Sequence, residues 1–389
     1  MRKTEKVTAI PEIGVGMLGH AFMGKAHSNG FKKMPYIFWP PPAIPRLVAI
    51  AGRNEQALKE AASRYGWEQY TTDWRELIGD DRIQLFDNAA ANYLHDEPAI
   101  AAAAAGKHIL CEKPMAISAE KARAMRDAVL KAGVKAIVNF NYRLVPAIRL
   151  AKTLIEAGEI GGIYHFRGRY IQEALIDPNI PWSWRSVKDK TGYGVLSDIG
   201  SHIIDLMRFL AGEPKTLSAM MTTFVKERPL PDGSGKMAPH ETDDAVQAIF
   251  ELENGALANI EATKFCHGRK NMNTWEINGT KGSIFFNLEQ LNELWVYKAD
   301  THPREANGFR NVLVTDKYHP FIEHWWPEGH IIGWENTFVH SVYLLMKAIA
   351  EDTPLDPYVA DFEDGYRNAV ISDAISEASR TGARVAVRY

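Results

Sequence analysis

Cysteine is nearly missing from this chain: Cys111 and Cys266 are the only two in 389 residues. So small a supply builds neither a disulfide framework nor a thiolate metal cluster, and a reducing, cytoplasmic setting is expected. Long apolar runs are lacking as well. The start, Met1-Arg2-Lys3-Thr4-Glu5-Lys6, is charged and no stretch of membrane-spanning length follows it, so neither a signal peptide nor a membrane span is expected. An excess of one charge is also missing. The formal net charge is only -3, which argues against nucleic acid or an anionic membrane as a partner. The 13 histidines are scattered, and none forms a His-Glu-x-x-His or Cys/His ligand pair, so no metal is expected. Repeats and low-complexity tracts are lacking too, apart from a proline-rich apolar stretch at 34–45, read as a packed loop insertion.

What is present suits a soluble α/β protein long enough for two domains with full cores. From about residue 13 to 140, short apolar runs alternate with alanine-rich stretches. Strands are predicted at 14–18, 47–51, 83–88, 108–111 and 135–138, and helices at 55–65, 97–105 and 118–132. Ser118 opens the last helix as an N-cap and Gly133 stops it. This rhythm predicts a parallel sheet wound with helices over 1–144, the layout of a Rossmann dinucleotide-binding domain where a glycine-rich turn follows its first strand. After Pro146 the pattern changes. A helix at 147–157 leads into strands at 164–171, 216–224, 244–251, 255–264, 273–278, 282–287 and 294–298. Glu253-Asn254-Gly255-Ala256 marks a hairpin between two of them, and helical periodicity returns at 334–349 and 361–380. The expectation is a second α/β domain, 145–389, around a large open and mostly antiparallel sheet.

Two glycine-rich frames compete for a dinucleotide. Gly14-Val15-Gly16-Met17-Leu18-Gly19 matches G-x-G-x-x-G literally, yet it occupies the first strand, whereas the fingerprint belongs on the turn after it. Gly19-His20-Ala21-Phe22-Met23-Gly24 is better placed, opening a helix whose N-terminal N–H groups favour an anion, with Ala21 where the second glycine is usual. The second strand ends Ala51-Gly52-Arg53-Asn54 without the acid that normally bonds the ribose. Arg53 suits a 2′-phosphate and Asn54 a ribose hydroxyl, so NAD and NADP both stay open. The plainer alternative is a solvated turn capping the helix from Glu55.

Chemistry concentrates in two motifs. Cys111-Glu112-Lys113-Pro114 puts a lysine at the carboxyl end of a predicted parallel strand, the side where such sheets bind ligands. Asp198-Ile199-Gly200-Ser201-His202-Ile203-Ile204-Asp205 places Asp198 and His202 on one helical face. Brought together, Lys113, Asp198 and His202 can handle the proton of an alcohol. Each has a plainer reading: Lys113 in an ion pair with Glu112, Asp198 as N-cap of a helix at 199–210, and His202 as a core histidine. Asp205 is either a surface charge or the group that orients the imidazole.

With Gly19–Gly24, the run Ala105-Gly106-Lys107-His108-Ile109-Leu110-Cys111-Glu112-Lys113-Pro114, Asn141-Tyr142-Arg143 and Asp198-x-Gly200-x-His202-x-x-Asp205, nearly the whole chain resembles the Gfo/Idh/MocA oxidoreductases. These include glucose–fructose oxidoreductase and inositol dehydrogenase. The departures are Ala21, the missing acid after Gly52, and Ala90-Ala91-Asn92 where relatives usually carry Thr-Pro-Asn. Within the family, Phe22-Met23-Gly24-Lys25-Ala26-His27-Ser28 with Phe38-Trp39-Pro40 is similar to levoglucosan dehydrogenase and the glycoside 3-dehydrogenases.

The resemblance implies oxidation of a secondary ring hydroxyl of a sugar, anhydrosugar or cyclic polyol, with the hydride passing to nicotinamide. Lys113 would hold the reacting oxygen, His202 would act as general base at an ordinary pKa, and Asp198 would orient Lys113 or a neighbouring hydroxyl. NAD(H) or NADP(H), with NAD slightly favoured, would meet Gly19, Ala21, Phe22, Met23 and Gly24. Further cofactor contacts would come from Arg53, Asn54, Ala90, Asn92, His95, Glu112 and Lys113. Substrate contacts would add Tyr142, Arg143, Gln172, Trp184 and Arg185 to the three catalytic groups. The second domain's sheet would join copies into a homodimer or homotetramer, and Lys113-Pro114 would be a cis peptide. Two other readings stay open: an NAD-using glycoside hydrolase of the wider family, and a silent nucleotide-binding regulator.

Overall fold

The computed structural model describes residues 10–389; the charged start, Met1-Arg2-Lys3-Thr4-Glu5-Lys6, lies outside them. The chain forms two compact units, the first made of residues up to Glu112 with Arg123–Asn141 and Gly333–Phe362, and the second of Lys113–Ala122, Tyr142–Ile332 and Glu363–Tyr389.

The first unit opens with β1 (Glu12–Leu18), α1 (Phe22–Ile37), β2 (Ile44–Ala51), α2 (Glu55–Tyr65), β3 (Gln69–Thr71) and α3 (Arg75–Gly79). It continues with β4 (Leu85–Asn88), α4 (Asp96–Ala104), β5 (His108–Cys111), α5 (Ala119–Ala132, from Arg123 onward in this unit) and β6 (Ala136–Val138). Among the described residues these strands form one parallel sheet in the order β3-β2-β1-β4-β5-β6. Helices cover both faces of such a sheet, so its strands carry near-continuous apolar runs rather than alternation. Six of the seven residues of β1 and all four of β4 are buried accordingly. Two glycines of β1 serve packing: a Cβ on Gly14 would sit 1.7 Å from the carbonyl oxygen of Arg82, and one on Gly16 2.7 Å from Ile83. The literal G-x-G frame is therefore strand interior, and the turn begins at Gly19.

Helix α1 corrects the expected loop insertion at 34–45. It continues to Ile37 despite Pro35, because Phe31, Met34, Ile37 and Phe38 are all buried along one side. Apolar burial outweighs the proline's lost hydrogen bond. The irregular connection shrinks to 38–43, and Phe38 stacks on Tyr343 with ring centroids 3.9 Å apart.

In the second unit, α6 (Pro146–Glu156), β7 (Ile163–Ile171), α7 (Lys188–Thr191) and α8 (Ser201–Ala211) precede β8 (Pro214–Thr222), β9 (Glu227–Pro229) and β10 (Met237–Pro239). Then come β11 (Ala245–Leu252), β12 (Leu257–Thr263), β13 (Met272–Gly279), β14 (Gly282–Asn287), β15 (Glu293–Lys298) and β16 (Arg310–Leu313). Helix α9 (Asn336–Ala350) belongs to the first unit, and α10 (Phe362–Thr381) and β17 (Val385–Ala386) close the chain. Among the described residues the large sheet has nine strands, ordered β16-β15-β14-β13-β7-β12-β11-β8-β17, with β9 and β10 as a separate pair. Only β7 and β12 run parallel in it, so the sheet is mixed rather than purely antiparallel. Burial alternates along β11 and β12, the mark of a sheet with one covered and one open face. Every residue of α8 is buried.

The division is not a single cut after residue 144. The chain does leave the first unit after Asn141, but 333–362 returns to it. The return is a packing effect: a Cβ on Gly30 of α1 would lie 3.3 Å from Phe338 of α9, so the missing side chain lets the two helices approach.

Candidate active site

In the first unit, the turn after β1 is shaped for close backbone approach. Gly19 takes φ +109, and a Cβ there would stand 2.6 Å from the carbonyl carbon of Ala89. A Cβ on Gly24 would stand 2.2 Å from the carbonyl oxygen of Gly19. Only glycine fits either position, for conformation at the first and space at both. The first turn of α1 contains no acid, and its N-cap, Ala21, supplies no side-chain cap. Uncapped N–H groups at a helix N-terminus, unopposed by a carboxylate, suit a diphosphate. The residues present therefore fit a dinucleotide, with Ala21, Phe22 and Met23 at that N-terminus. Phe22 is 67% exposed and stacks on Trp334 at 5.5 Å.

A polar cluster lies in the second unit. Before α8 the chain makes one wide helical turn, Leu196–Gly200, so Asp198 sits inside the helical run instead of capping it. The Lys113 ammonium donates to the Asp198 carbonyl oxygen (2.7 Å) and to its Oδ1 (3.2 Å). On the other side of the same carboxylate, Lys264 pairs with Oδ2. Burial alone would raise the Asp198 carboxyl, but Lys264 and then Lys113 hold it well below the usual range. His202, one turn on, lies with its ring 4.4 Å from that of Tyr142. Burial first, and the Lys113 charge second, push its imidazole well below its ordinary value. This corrects the expectation of an unshifted base: both effects favour the neutral imidazole. The Tyr142 and Tyr170 hydroxyls lie 2.9 Å apart, and Asn271 Oδ1 accepts from both Tyr170 and Gln172, each at 2.7 Å. The Lys113-Pro114 peptide is cis, as expected.

Residues 13–140 match the family model described as an oxidoreductase family with an NAD-binding Rossmann fold, and residues 148–285 match the GFO/IDH/MocA C-terminal domain. Levoglucosan dehydrogenase of Pseudarthrobacter phenanthrenivorans is 44% identical over 379 residues, covering 94% of this chain and 96% of its own length. The chain belongs to the Gfo/Idh/MocA oxidoreductases. A solved structure of levoglucosan dehydrogenase in complex with NADH and levoglucosan superposes with TM-score 0.93 at 44% identity, covering 97% of this chain and all (100%) of that one. An oxidoreductase domain protein from Kribbella flavida gives the same TM-score, 0.93, at 42% identity and coverages of 98% and 100%.

As a member of this family the chain carries an NAD-binding Rossmann domain, and several residues expected to meet the cofactor already have protein partners. Asn54 is the N-cap of α2, its side chain accepting from the Ala57 N–H at 3.0 Å, so the capping alternative is what the structure holds. Arg53 beside it is exposed. His95 is fully buried and bonded to the Ala90 carbonyl oxygen at 3.2 Å, bracing the loop that carries Ala90 and Asn92 rather than facing outward. Glu112 is turned inward to His27 (2.8 Å) and Asn139 (2.7 Å).

Arg143, expected among substrate contacts, is buried in ion pairs with Asp205 (2.6 Å) and Asp364 (2.9 Å). Asp205 is accordingly neither a surface charge nor the imidazole's partner. Trp184 and Arg185 form a short turn with the guanidinium 4.4 Å above the indole ring, and the Arg185 charge adds to those depressing Asp198. Lys264 and Asn271 were missed by sequence reasoning. The only available signal was their position just beyond β12 and just before β13, at strand ends where ligand-binding groups gather.

Proposed function

We propose that this protein is an NAD-dependent dehydrogenase that oxidises a secondary ring hydroxyl of a sugar or anhydrosugar, with levoglucosan and its close analogues as the first substrates to try. The carrying observation is the Lys113 ammonium held by Asp198 one helical turn from a neutral, buried His202. When bound, NAD supplies the hydride acceptor. The chain's own groups supply positioning and proton handling. Lys113 donates a hydrogen bond to the reacting oxygen and stabilises the negative charge that grows there. His202, unprotonated at neutral pH, accepts the hydroxyl proton. Asp198 fixes Lys113 in direction, and Lys264 keeps that carboxylate ionised. Tyr142, Gln172, Trp184 and Arg185 offer the mixed aromatic and polar surface a sugar ring needs.

Among the described residues no helix is long and apolar enough to cross a membrane. Cys111 and Cys266 are both free thiols, which supports work in a reducing cytoplasm. Copies would associate through the open face of the nine-stranded sheet.

A panel of anhydrosugars, aldoses and cyclic polyols, followed by the absorbance of reduced cofactor with NAD and with NADP, tests the activity. Lys113→Ala should lower turnover by ~10²-fold or more while NADH binding stays nearly intact. Turnover close to wild type in that variant would remove Lys113 from the reaction.

A further inference from the structure

Beneath the dinucleotide cradle the first unit contains an ionic cluster for which the chemistry above has no use. His27 of α1 is fully enclosed, and its Nδ1 lies 2.9 Å from both carboxylate oxygens of Asp87 at the end of β4. Its Nε2 lies 2.8 Å from Glu112 Oε1, just past β5. Asn139, just past β6, donates to the same Glu112 oxygen at 2.7 Å and accepts from Ser341 of α9 at 2.9 Å. The Phe338 ring closes the remaining side, 5.4 Å from the imidazole. The Cys111 thiol, within electrostatic reach of both carboxylates, is itself buried and held protonated.

Burying one imidazole between two carboxylates is a poor way to gain stability, since apolar residues of similar volume often do as well or better. A cluster of this kind is better explained by what it fixes. Its ligands come from α1, the ends of three neighbouring parallel strands, and α9, and one of them, Glu112, is bonded through its own peptide to Lys113. We propose that His27 is a positioning residue: by holding Glu112 from below, it sets the direction in which the chain enters Lys113-Pro114 and so the aim of the Lys113 ammonium. The proposal rests on Lys113 acting in turnover.

The test uses the full-length protein with His27→Gln, Glu112→Gln, the double variant and Lys113→Ala, each checked for folding by circular dichroism. NADH affinity is read by fluorescence, and kcat and KM with a substrate found in the panel. Positioning through Glu112 predicts that either single change lowers kcat about 10-fold or more with NADH affinity within about 3-fold. It also predicts that the double variant is no worse than the poorer single, because both remove one interaction. If His27→Gln does not fold, Glu112→Gln alone decides, being nearly isosteric. A kcat within about 2-fold of wild type in the folded variants, or losses that multiply in the double, would overturn the role and leave the cluster as packing. Full turnover in Lys113→Ala would instead remove the reading beneath it, so the two failures are told apart.

Discussion

At the residue scale the site turns on one carboxylate shared by two ammonium groups. Asp198 stays ionised because Lys264 and Lys113 together outweigh its burial. Removing Lys264 takes away the larger of those two attractions, so the carboxyl should rise toward its ordinary range and take up a proton at higher pH. Lys264→Met is therefore expected to move the acid limb of the kcat/KM profile upward, with Lys264→Arg restoring it; an unmoved limb would place Lys264 outside the mechanism. His202 adds a sign of its own. Its depressed pKa puts protonation of the base below the ordinary histidine range, so wild-type kcat should stay level through pH 6.5, the unperturbed value.

Lys113, Asp198 and His202 were legible as a set because two motifs with defined spacing carried them. Lys264 was not. Its link to Asp198 spans 66 residues and depends on where β12 ends, which no local pattern encodes. Arg143 misled for the opposite reason: a basic residue beside a tyrosine looks like a ligand contact until Asp205 and Asp364 are found on it.

At the scale of elements, the parallel sheet was readable almost strand by strand, since β1, β2, β4, β5 and β6 each carry a short, mostly apolar run between turn residues, even where a polar pair such as Asp87-Asn88 ends the strand. The short β3 and α3 went unread, being three and five residues long with little burial to mark them. The turn after β2 shows how one residue type serves two ends. Asn54 caps α2, so Asn54→Ala should cost about 1 kcal/mol of stability, measurable as a lower Tm. Because its carbonyl oxygen is already engaged, the same change should leave the ratio of kcat/KM for NAD over NADP nearly unchanged. That ratio should itself lie within roughly 100-fold, as a charged hydrogen bond to the ribose is worth only ~1.5–3 kcal/mol. A far larger preference for NAD would mean that another group rejects the 2′-phosphate.

Helix α1 carries a second, pH-dependent contribution. Burial alone would lower His27, yet Asp87 and Glu112 raise it to about 10 from 6.5. A raised folded-state pKa means the folded form holds its proton more tightly than the unfolded form does. The stabilisation is complete below about 6.5 and is lost as pH climbs toward 10. Thermal unfolding from pH 7 to 10 should therefore show a falling Tm in the wild type and a flatter course in His27→Gln. Parallel curves would mean that the imidazole is not charged in the folded state.

For the molecule as a whole, the open face of the large sheet is the surface that most needs an account. Met220 on β8, Ile249 on β11 and Leu257 on β12 are 79%, 64% and 58% exposed. Beside them a depression of about 240 Å³ is lined by Arg167 and Arg169 facing Glu261 and Glu276. Nine strands at ~4.8 Å spacing and about seven residues each give a face of roughly 900 Å², near the ~800 Å² per partner of a stable interface. Apolar centres beside paired opposite charges are also what a two-fold contact requires, since each patch must complement itself. Wild-type protein at micromolar concentration should therefore sediment as a dimer or tetramer. Ile249→Lys, which sets a charge in the apolar part of the face, should release monomers that still bind NADH, because the glycine cradle belongs to the other unit. A wild-type monomer, or an assembly indifferent to both Ile249→Lys and Arg167→Glu, would show that this face meets water rather than a second copy.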